Sequence, residues 1–200
     1  MADFEQAFVA TMKQETPYIE SGGLITFSPV VIEDSGGITK FGVSQKAHPD
    51  VDVKSLTISQ AQTIFRQYWT QIVGDSISSQ ANANNYFDHA VNAGSSTAKS
   101  LAIQALRKMG SQISESAGFN AVAKEINRYT TNFNKFFGAE REAYYKSLAK
   151  ADPRNADSLE GWLSRAQDFF ISGLPSVLAV SAVCGIAIVM FYVQSKREVG

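Results

Sequence analysis

The chain has 200 residues, which is enough for one globular domain and a short additional segment. Its formal net charge of −1 excludes the strongly basic field with which proteins bind nucleic acids. The single cysteine, Cys184, excludes an intramolecular disulfide framework, and His48 and His89 do not have the spacing of metal ligands.

The first residues predict a helix followed by a small antiparallel sheet. An apolar stripe with helical spacing is formed by Phe4, Phe8 and Met12. Thr16-Pro17 predicts the end of this helix, because a residue before proline avoids the α region. Glu15 then lies on the apolar face at the helix end. Residues 18–44 are mostly β-formers interrupted by glycine and proline, which predicts two or three short strands.

The rest of the domain is predicted to be helical. Thr57 or Ser59 is expected to cap the first helix after the sheet. Apolar side chains then recur with helical spacing to about residue 170. We therefore predict an α+β fold that is mainly α, with one small antiparallel sheet. The domain would occupy residues 1–170, in two lobes formed by residues 1–83 and 84–170.

An uncharged apolar run begins at Leu174 and ends at Val193. As a helix it is long enough to cross a hydrocarbon core of about 30 Å, so we predict a C-terminal transmembrane helix. A buried core helix is the alternative. Lys196 and Arg197 follow in a short basic tail, residues 194–200. These charges favour a cytoplasmic C-terminus, a single-pass topology and a domain on the periplasmic or wall side.

The predicted span bears on self-association and on export. Ser181 and Gly185 form a small-xxx-small pair that could let two spans associate. The N-terminal residues lack the basic region and the continuous apolar run of a signal peptide. Because the span would emerge last from the ribosome, we expect a phage protein that is carried in a virion membrane or exported at lysis.

The most informative motif is Asp34-Ser-Gly-Gly-Ile-Thr39-Lys-Phe-Gly-Val-Ser44, downstream of Glu15. Further motifs lie at residues 56–69, 87–94 and 161–165. Their types and order resemble glycoside hydrolase family 108, the phage and bacterial N-acetylmuramidases with a lysozyme-like fold. The resemblance covers about residues 4–166.

This resemblance implies hydrolysis of the β-1,4 bond between N-acetylmuramic acid and N-acetylglucosamine in peptidoglycan strands. Glu15 would donate the proton, and Asp34 would stabilise the oxocarbenium-like transition state or position a water molecule that Thr39 holds. A carboxyl on the apolar face of a helix has a raised pKa, which a general acid needs near neutral pH. No metal and no cofactor is implied.

Substrate-binding residues are expected on both lobes. Gly36 and Gly37 would leave room for a sugar ring, and Tyr18 would stack on a sugar. Asn92, in the helical peptidoglycan-binding lobe, would hydrogen-bond an acetamido group, and capping of a helix end is the alternative for it. For Asp34 the alternative is a turn residue that bonds its own backbone.

The sequence departs from the family at the proton donor. The family signature is a helix-terminal Glu-Gly-Gly-Tyr, whereas this helix ends Glu15-Thr-Pro-Tyr18 and an additional hairpin follows at about residues 19–33. Within that hairpin Glu20-Ser-Gly-Gly is a rival match. We favour Glu15, because Pro17 would break any helix leading to Glu20.

Two other functions are compatible with the same residues. A lytic transglycosylase cuts the same bond with a single glutamate and needs no second carboxylate. A membrane-anchored wall-binding protein without activity is the other alternative, because the glycines that follow the catalytic glutamate in the family are missing after Glu15.

Overall fold

The computed structural model describes residues 1–34 and 37–172. Within these residues the chain forms one helix, then two small antiparallel sheets, and then six further helices. The predicted α+β fold, mainly α with small antiparallel strands, is confirmed.

The first helix, α1 (Phe4–Glu15), ends where the sequence predicts. Asp3 caps its N-terminus by accepting a hydrogen bond of 2.9 Å from the backbone N–H of Gln6. At the other end Thr16 is extended, because the residue before Pro17 avoids the α region. Glu15 is therefore fixed as the last helical residue.

The strands among the described residues form two sheets rather than the single sheet predicted. They are β1 (Tyr18–Ser21) and β2 (Leu24–Phe27) in one hairpin, and β3 (Val31–Asp34), β4 (Gly37–Lys40) and β5 (Val43–Ser44) in a three-stranded meander. Pro29 lies between β2 and β3 and has no backbone N–H, so it cannot extend a hydrogen-bond ladder from one sheet into the other.

The later helices are α2 (Ile58–Gln71), α3 (Gln80–Ala93), α4 (Ser95–Lys108), α5 (Phe119–Arg128), α6 (Phe133–Ala151) and α7 (Ala156–Ser172). Of the two candidate caps for α2, the structure selects Thr57. Its hydroxyl accepts from the N–H of Gln60, and the Gln60 side chain accepts from the N–H of Thr57. This reciprocal capping box satisfies two N–H groups that the helix leaves unpaired.

Helix α3 lies at the centre of the fold, in contact with α1, α2, α4, α6 and α7. Phe4, Trp69 and Phe87 meet edge to face, with ring centroids 5.5–5.9 Å apart. Trp69 is fully buried, and its indole N–H donates to Asp75 at 2.8 Å. This aromatic core fixes α1, and hence Glu15, against α2 and α3.

Two predictions concern parts of the chain beyond this core. The span from Leu174 to Val193, and the tail behind it, lie outside the described residues. Among residues 1–34 and 37–172, no helix is both long and apolar enough to cross a membrane. The lobe boundary at residues 83 and 84 falls in the first turns of α3 and stays a prediction.

Candidate active site

The chain around Glu15 is held by hydrogen bonds on the C-terminal side of α1. The backbone N–H of Thr16 donates to the carbonyl of Met12 at 3.1 Å, and its hydroxyl donates to the carbonyl of Ser28 at 2.9 Å. The second bond ties the helix end to the segment that follows β2. Glu15 is thereby held in place, with its side chain only 17% exposed.

The turn between β4 and β5 lies directly against the Glu15 carboxyl. Its residues, Phe41 and Gly42, have φ values of +51° and +74°, the left-handed pair of a tight hairpin. A Cβ added to Gly42 would lie 2.9 Å from both Cγ and Oε2 of Glu15. Glycine is therefore required at this position for two reasons: the positive φ of the turn, and the space that the Glu15 carboxyl occupies.

A cavity of about 220 Å³ opens beside this carboxyl. Its walls come from α1, the β4–β5 hairpin with the loop that follows, α2 and α3. The polar residues that line it are Glu15, Ser44, His48, Tyr68 and Asn92. In the described part of the chain, no group of three or more histidine, cysteine or carboxylate side chains is placed to hold a metal ion.

Arg165 of α7 binds Glu15 and a buried aspartate at the same time. Its Nη2 lies 2.6 Å from Oε1 of Glu15 and 2.6 Å from Oδ1 of Asp88. Arg141 of α6 donates to Oδ2 of Asp88, also at 2.6 Å. Asp88 and Arg141 are fully buried. Two carboxyl groups and two guanidinium groups thus form a cluster that joins α1, α3, α6 and α7.

The two carboxyl groups of this cluster have pKa values shifted in opposite directions. Burial raises the pKa of Glu15, Arg165 opposes this shift, and the charge of Asp88 adds to it. Burial also acts to raise the pKa of Asp88, but Arg165 and Arg141 outweigh it and lower that pKa. Asp88 is therefore the permanent counterion, and Glu15 keeps its proton to a higher pH than a solvated glutamate does.

Asn92 is held by a hydrogen-bond chain behind the cavity. The hydroxyl of Tyr145 donates to Oδ1 of Asn92 at 2.8 Å and lies 3.2 Å from Nδ1 of His89. Because Oδ1 is occupied, the NH₂ group of Asn92 is left to donate into the cavity. Burial lowers the pKa of His89 to about 3, and the charge of Arg141 acts in the same direction, so this imidazole stays neutral.

Thr39, the predicted water-binding residue, lies on the same face of the sheet as a residue of the cavity wall. It pairs directly with Ser44, which lines the cavity. Side chains of directly opposed residues in an antiparallel pair share one face. The pairing therefore places Thr39 next to the cavity wall, although Thr39 is not itself one of the lining residues.

Asp34, the predicted second carboxylate, lies at the other end of β4. It pairs with Gly37, and β4 then runs a strand length of about 10 Å towards the turn at Gly42. Along the strands of the meander, Thr39 is therefore closer to the turn at Gly42 than Asp34 is. Gly36 lies outside the described residues.

Tyr18 and the rival donor, Glu20, both lie on β1. The ring of Tyr18 is exposed, with the Nζ of Lys13 at 5.0 Å from its centre, and Phe27 meets it edge to face. Glu20 is 53% exposed and forms an ion pair of 3.0 Å with Lys13. It therefore has the environment of a surface charge, whereas Glu15 is mostly covered and borders a cavity.

Sequence reasoning did not identify Gly42, Asp88 and Arg165 as site residues, although all three lie in its motifs. Arg165 and Asp88 are 77 residues apart, a separation that helical periodicity does not bridge. One signal was available. Asp88 follows Phe87 within the apolar stretch of α3, and a carboxylate buried there requires a cationic partner.

The chain is similar to known proteins over part of its sequence and over most of its fold. Residues 28–94 match the family model described as "Glycosyl hydrolase 108". Among solved structures, it is similar to "Structure of Brucella abortus SagA", with 19% sequence identity and a TM-score of 0.54 over 87% of this chain and 97% of that chain. At this identity the similarity shows a shared fold. No curated protein sequence matches the chain significantly.

Proposed function

We propose that this chain, whose residues 28–94 match the family model of glycosyl hydrolase 108, is an N-acetylmuramidase of the lysozyme type. Its substrate would be the β-1,4 bond between N-acetylmuramic acid and N-acetylglucosamine in peptidoglycan. One observation carries the proposal. The Glu15 carboxyl is largely withdrawn from solvent, has a raised pKa and borders a cavity beside the turn of the family motif. A general acid that works near neutral pH needs this environment.

In this mechanism Glu15 donates its proton to the glycosidic oxygen as the bond to the anomeric carbon breaks. Positive charge then develops on the sugar ring. Arg165 remains protonated, because the carboxylates of Asp88 and Glu15 raise its pKa against the opposing effect of burial. The guanidinium of Arg165 stabilises the Glu15 carboxylate that the proton transfer leaves behind.

The second half of the reaction takes place on the sheet side of the cavity. Thr39 holds the attacking water by its hydroxyl, and Asp34 orients that water or stabilises the oxocarbenium-like transition state. Support for Thr39 comes from its pairing with Ser44 on the cavity wall. Support for Asp34 comes from its position in the matched motif.

Substrate contacts come from the remaining motif residues. Asn92 donates its amide N–H to a substrate acetamido oxygen, since Tyr145 already occupies the amide oxygen. Tyr18 stacks on a sugar beyond the cavity, and Gly36 and Gly37 leave space for the sugar ring.

We also infer that residues 174–193 anchor the enzyme in a membrane with its domain on the wall side. The uncharged run and the basic residues Lys196 and Arg197 behind it support this topology. We propose that the protein is a phage lysis enzyme or an entry enzyme carried in a virion membrane, roles with which such an arrangement is compatible.

The test uses the full chain in detergent with purified peptidoglycan, and identifies the products by mass spectrometry. We expect reducing muramic acid ends, which Glu15→Gln abolishes and Glu20→Gln leaves unchanged. Anhydromuramic ends would identify the reaction as lytic transglycosylation and not hydrolysis. Binding to peptidoglycan without release of new ends would refute catalysis and leave the wall-binding alternative.

A further inference from the structure

The β1–β2 hairpin has one face that nothing in the described structure covers. In the register of the two strands, Ile19 pairs with Thr26 and Ser21 pairs with Leu24. Because residues two apart on a strand and directly opposed residues share a face, these four form one face, which we term the outer hairpin face. All four are exposed, and Ile19 and Leu24 are each 72% exposed.

The opposite face of the hairpin is the one that packs on the domain. Phe27, on this face, meets Phe8 of α1 edge to face. Glu20, also on this face, pairs with Lys13 of α1. The outer hairpin face therefore contains no charged residue, and its two large side chains are aliphatic. A two-stranded hairpin is marginally stable in water, so two exposed aliphatic side chains on its outer face favour contact with a partner.

Helix α7 ends near the base of this hairpin. The side chain of Gln14, four residues before β1, donates to Asp168 at 3.3 Å. Asp168 is four residues from Ser172, the last residue of α7, which is about 6 Å along a helix. The uncharged run starts immediately afterwards, at Leu174. The chain thus leaves the domain within reach of the outer hairpin face.

We propose that the outer hairpin face inserts into the interfacial layer of the lipid bilayer beside the anchor. The inference rests on the membrane anchoring proposed above, because a span starting at Leu174 holds the end of α7 at the bilayer surface. Aliphatic side chains without neighbouring charges suit the headgroup–acyl boundary. A sugar-binding face would instead present aromatic rings, and this face has none. The hairpin also precedes the matched residues 28–94.

The test reconstitutes the full chain into vesicles of phosphatidylethanolamine and phosphatidylglycerol that contain a lipid with a nitroxide on its acyl chain. A nitrobenzoxadiazole fluorophore on the native Cys184 reports on the span. In a Cys184→Ser background, Ile19→Cys and Leu24→Cys place the fluorophore on the outer hairpin face. Gln104→Cys, on an exposed position of α4, is the control.

We expect blue-shifted emission and strong nitroxide quenching at positions 184, 19 and 24, severalfold greater than at position 104. Quenching at 184 without quenching at 19 and 24 would overturn the hairpin inference and leave the anchor intact. Absence of quenching at 184 would overturn the anchoring itself. A blue shift at 19 and 24 without quenching, growing with protein density, would show that a second copy covers the face.

Discussion

Arg165 and Glu15 are joined by a hydrogen bond of 2.6 Å although 150 residues separate them in the chain. The same guanidinium holds Asp88, which Arg141 holds in turn. The proposed proton donor on the first helix is thus positioned by the last described helix, α7. The cluster governs both the protonation of Glu15 and the attachment of α7 to the domain.

The first prediction concerns the pH dependence of the reaction. Activity should fall as pH rises through the pKa of Glu15, because only the protonated acid can donate. Removing the charge of Arg165, which lowers this pKa, should raise it further. Arg165→Gln is therefore expected to move the alkaline limb of the kcat/KM profile to higher pH, whereas Arg165→Lys should move it less. A limb that stays in place or moves to lower pH would contradict the proposed coupling.

The second prediction concerns the buried charge of Asp88. Asp88→Asn leaves two buried guanidinium groups with too little negative charge, and should lower the free energy of unfolding by about 3–5 kcal/mol. The pKa of Asp88 is lowered, so its contribution is present above the pKa of the unfolded chain and is lost as pH falls through the folded value. Denaturant unfolding at several pH values measures both effects. Asp157→Asn, at an exposed position of α7, should have little effect.

The third prediction separates backbone strain from displacement of the carboxyl. Gly42 and Gly23 both have left-handed φ values, +74° and +79°, but only a Cβ at Gly42 would meet Glu15. Gly42→Ala and Gly23→Ala should each lower stability by about 1–2 kcal/mol. Peptidoglycan hydrolysis should fall strongly only in Gly42→Ala. Equal losses of activity in both variants would contradict the proposal that Gly42 leaves space for the Glu15 carboxyl.

The fourth prediction concerns the orientation of the Asn92 amide. Tyr145→Phe removes the hydroxyl that donates to its Oδ1. Loss of one such hydrogen bond is worth about 0.5–1.5 kcal/mol, so kcat/KM should fall about 2–10-fold. Tyr144→Phe leaves the Asn92 contact intact and serves as the neighbouring control. Asn92→Ala should be at least as impaired as Tyr145→Phe, and normal activity in Asn92→Ala would exclude it from substrate binding.

The fifth prediction distinguishes hydrolysis from transglycosylation on the sheet side of the cavity. Thr39→Val keeps the shape of the side chain and removes its hydroxyl, so release of reducing ends should fall sharply, whereas Thr39→Ser should retain most of it. Asp34→Asn should also reduce release. Undiminished cleavage in both Asp34→Asn and Thr39→Val, with anhydromuramic ends as the products, would favour a single-glutamate transglycosylase.

Helix positions and the end of α1 could be predicted because they depend on local properties. Periodic apolar residues, the Thr57 cap and the Thr16-Pro17 break each act within a few residues of sequence. Glu15 was identified as the candidate acid in the same way, as a carboxyl on the apolar side of a helix end. The split into two sheets was not predicted. Pro29 separates β2 from β3, but a proline interrupts a sheet only where its missing N–H would have bonded to the next strand, and the sequence does not show which strands are neighbours.

The ion cluster could not be predicted in the same way. Its members come from four helices, and each charge taken alone is typical of a solvated helix face. Only the packing of α3 against α6 and α7 brings Asp88 to Arg141 and Arg165. The contact between Gly42 and Glu15 could not be predicted either, because the tight turn alone is a sufficient reason for a glycine at position 42.

The attachment of α7 also sets the order in which the site can be completed during synthesis. While the ribosome has produced only the first 155 residues, α1, the sheets and α3 are present, but α7 (Ala156–Ser172) is missing. Glu15 then has no guanidinium partner from α7, and Asp88 is held by Arg141 alone. The nascent chain therefore acquires the guanidinium partner of Glu15 only when residues 156–172, just before the apolar run, have been made.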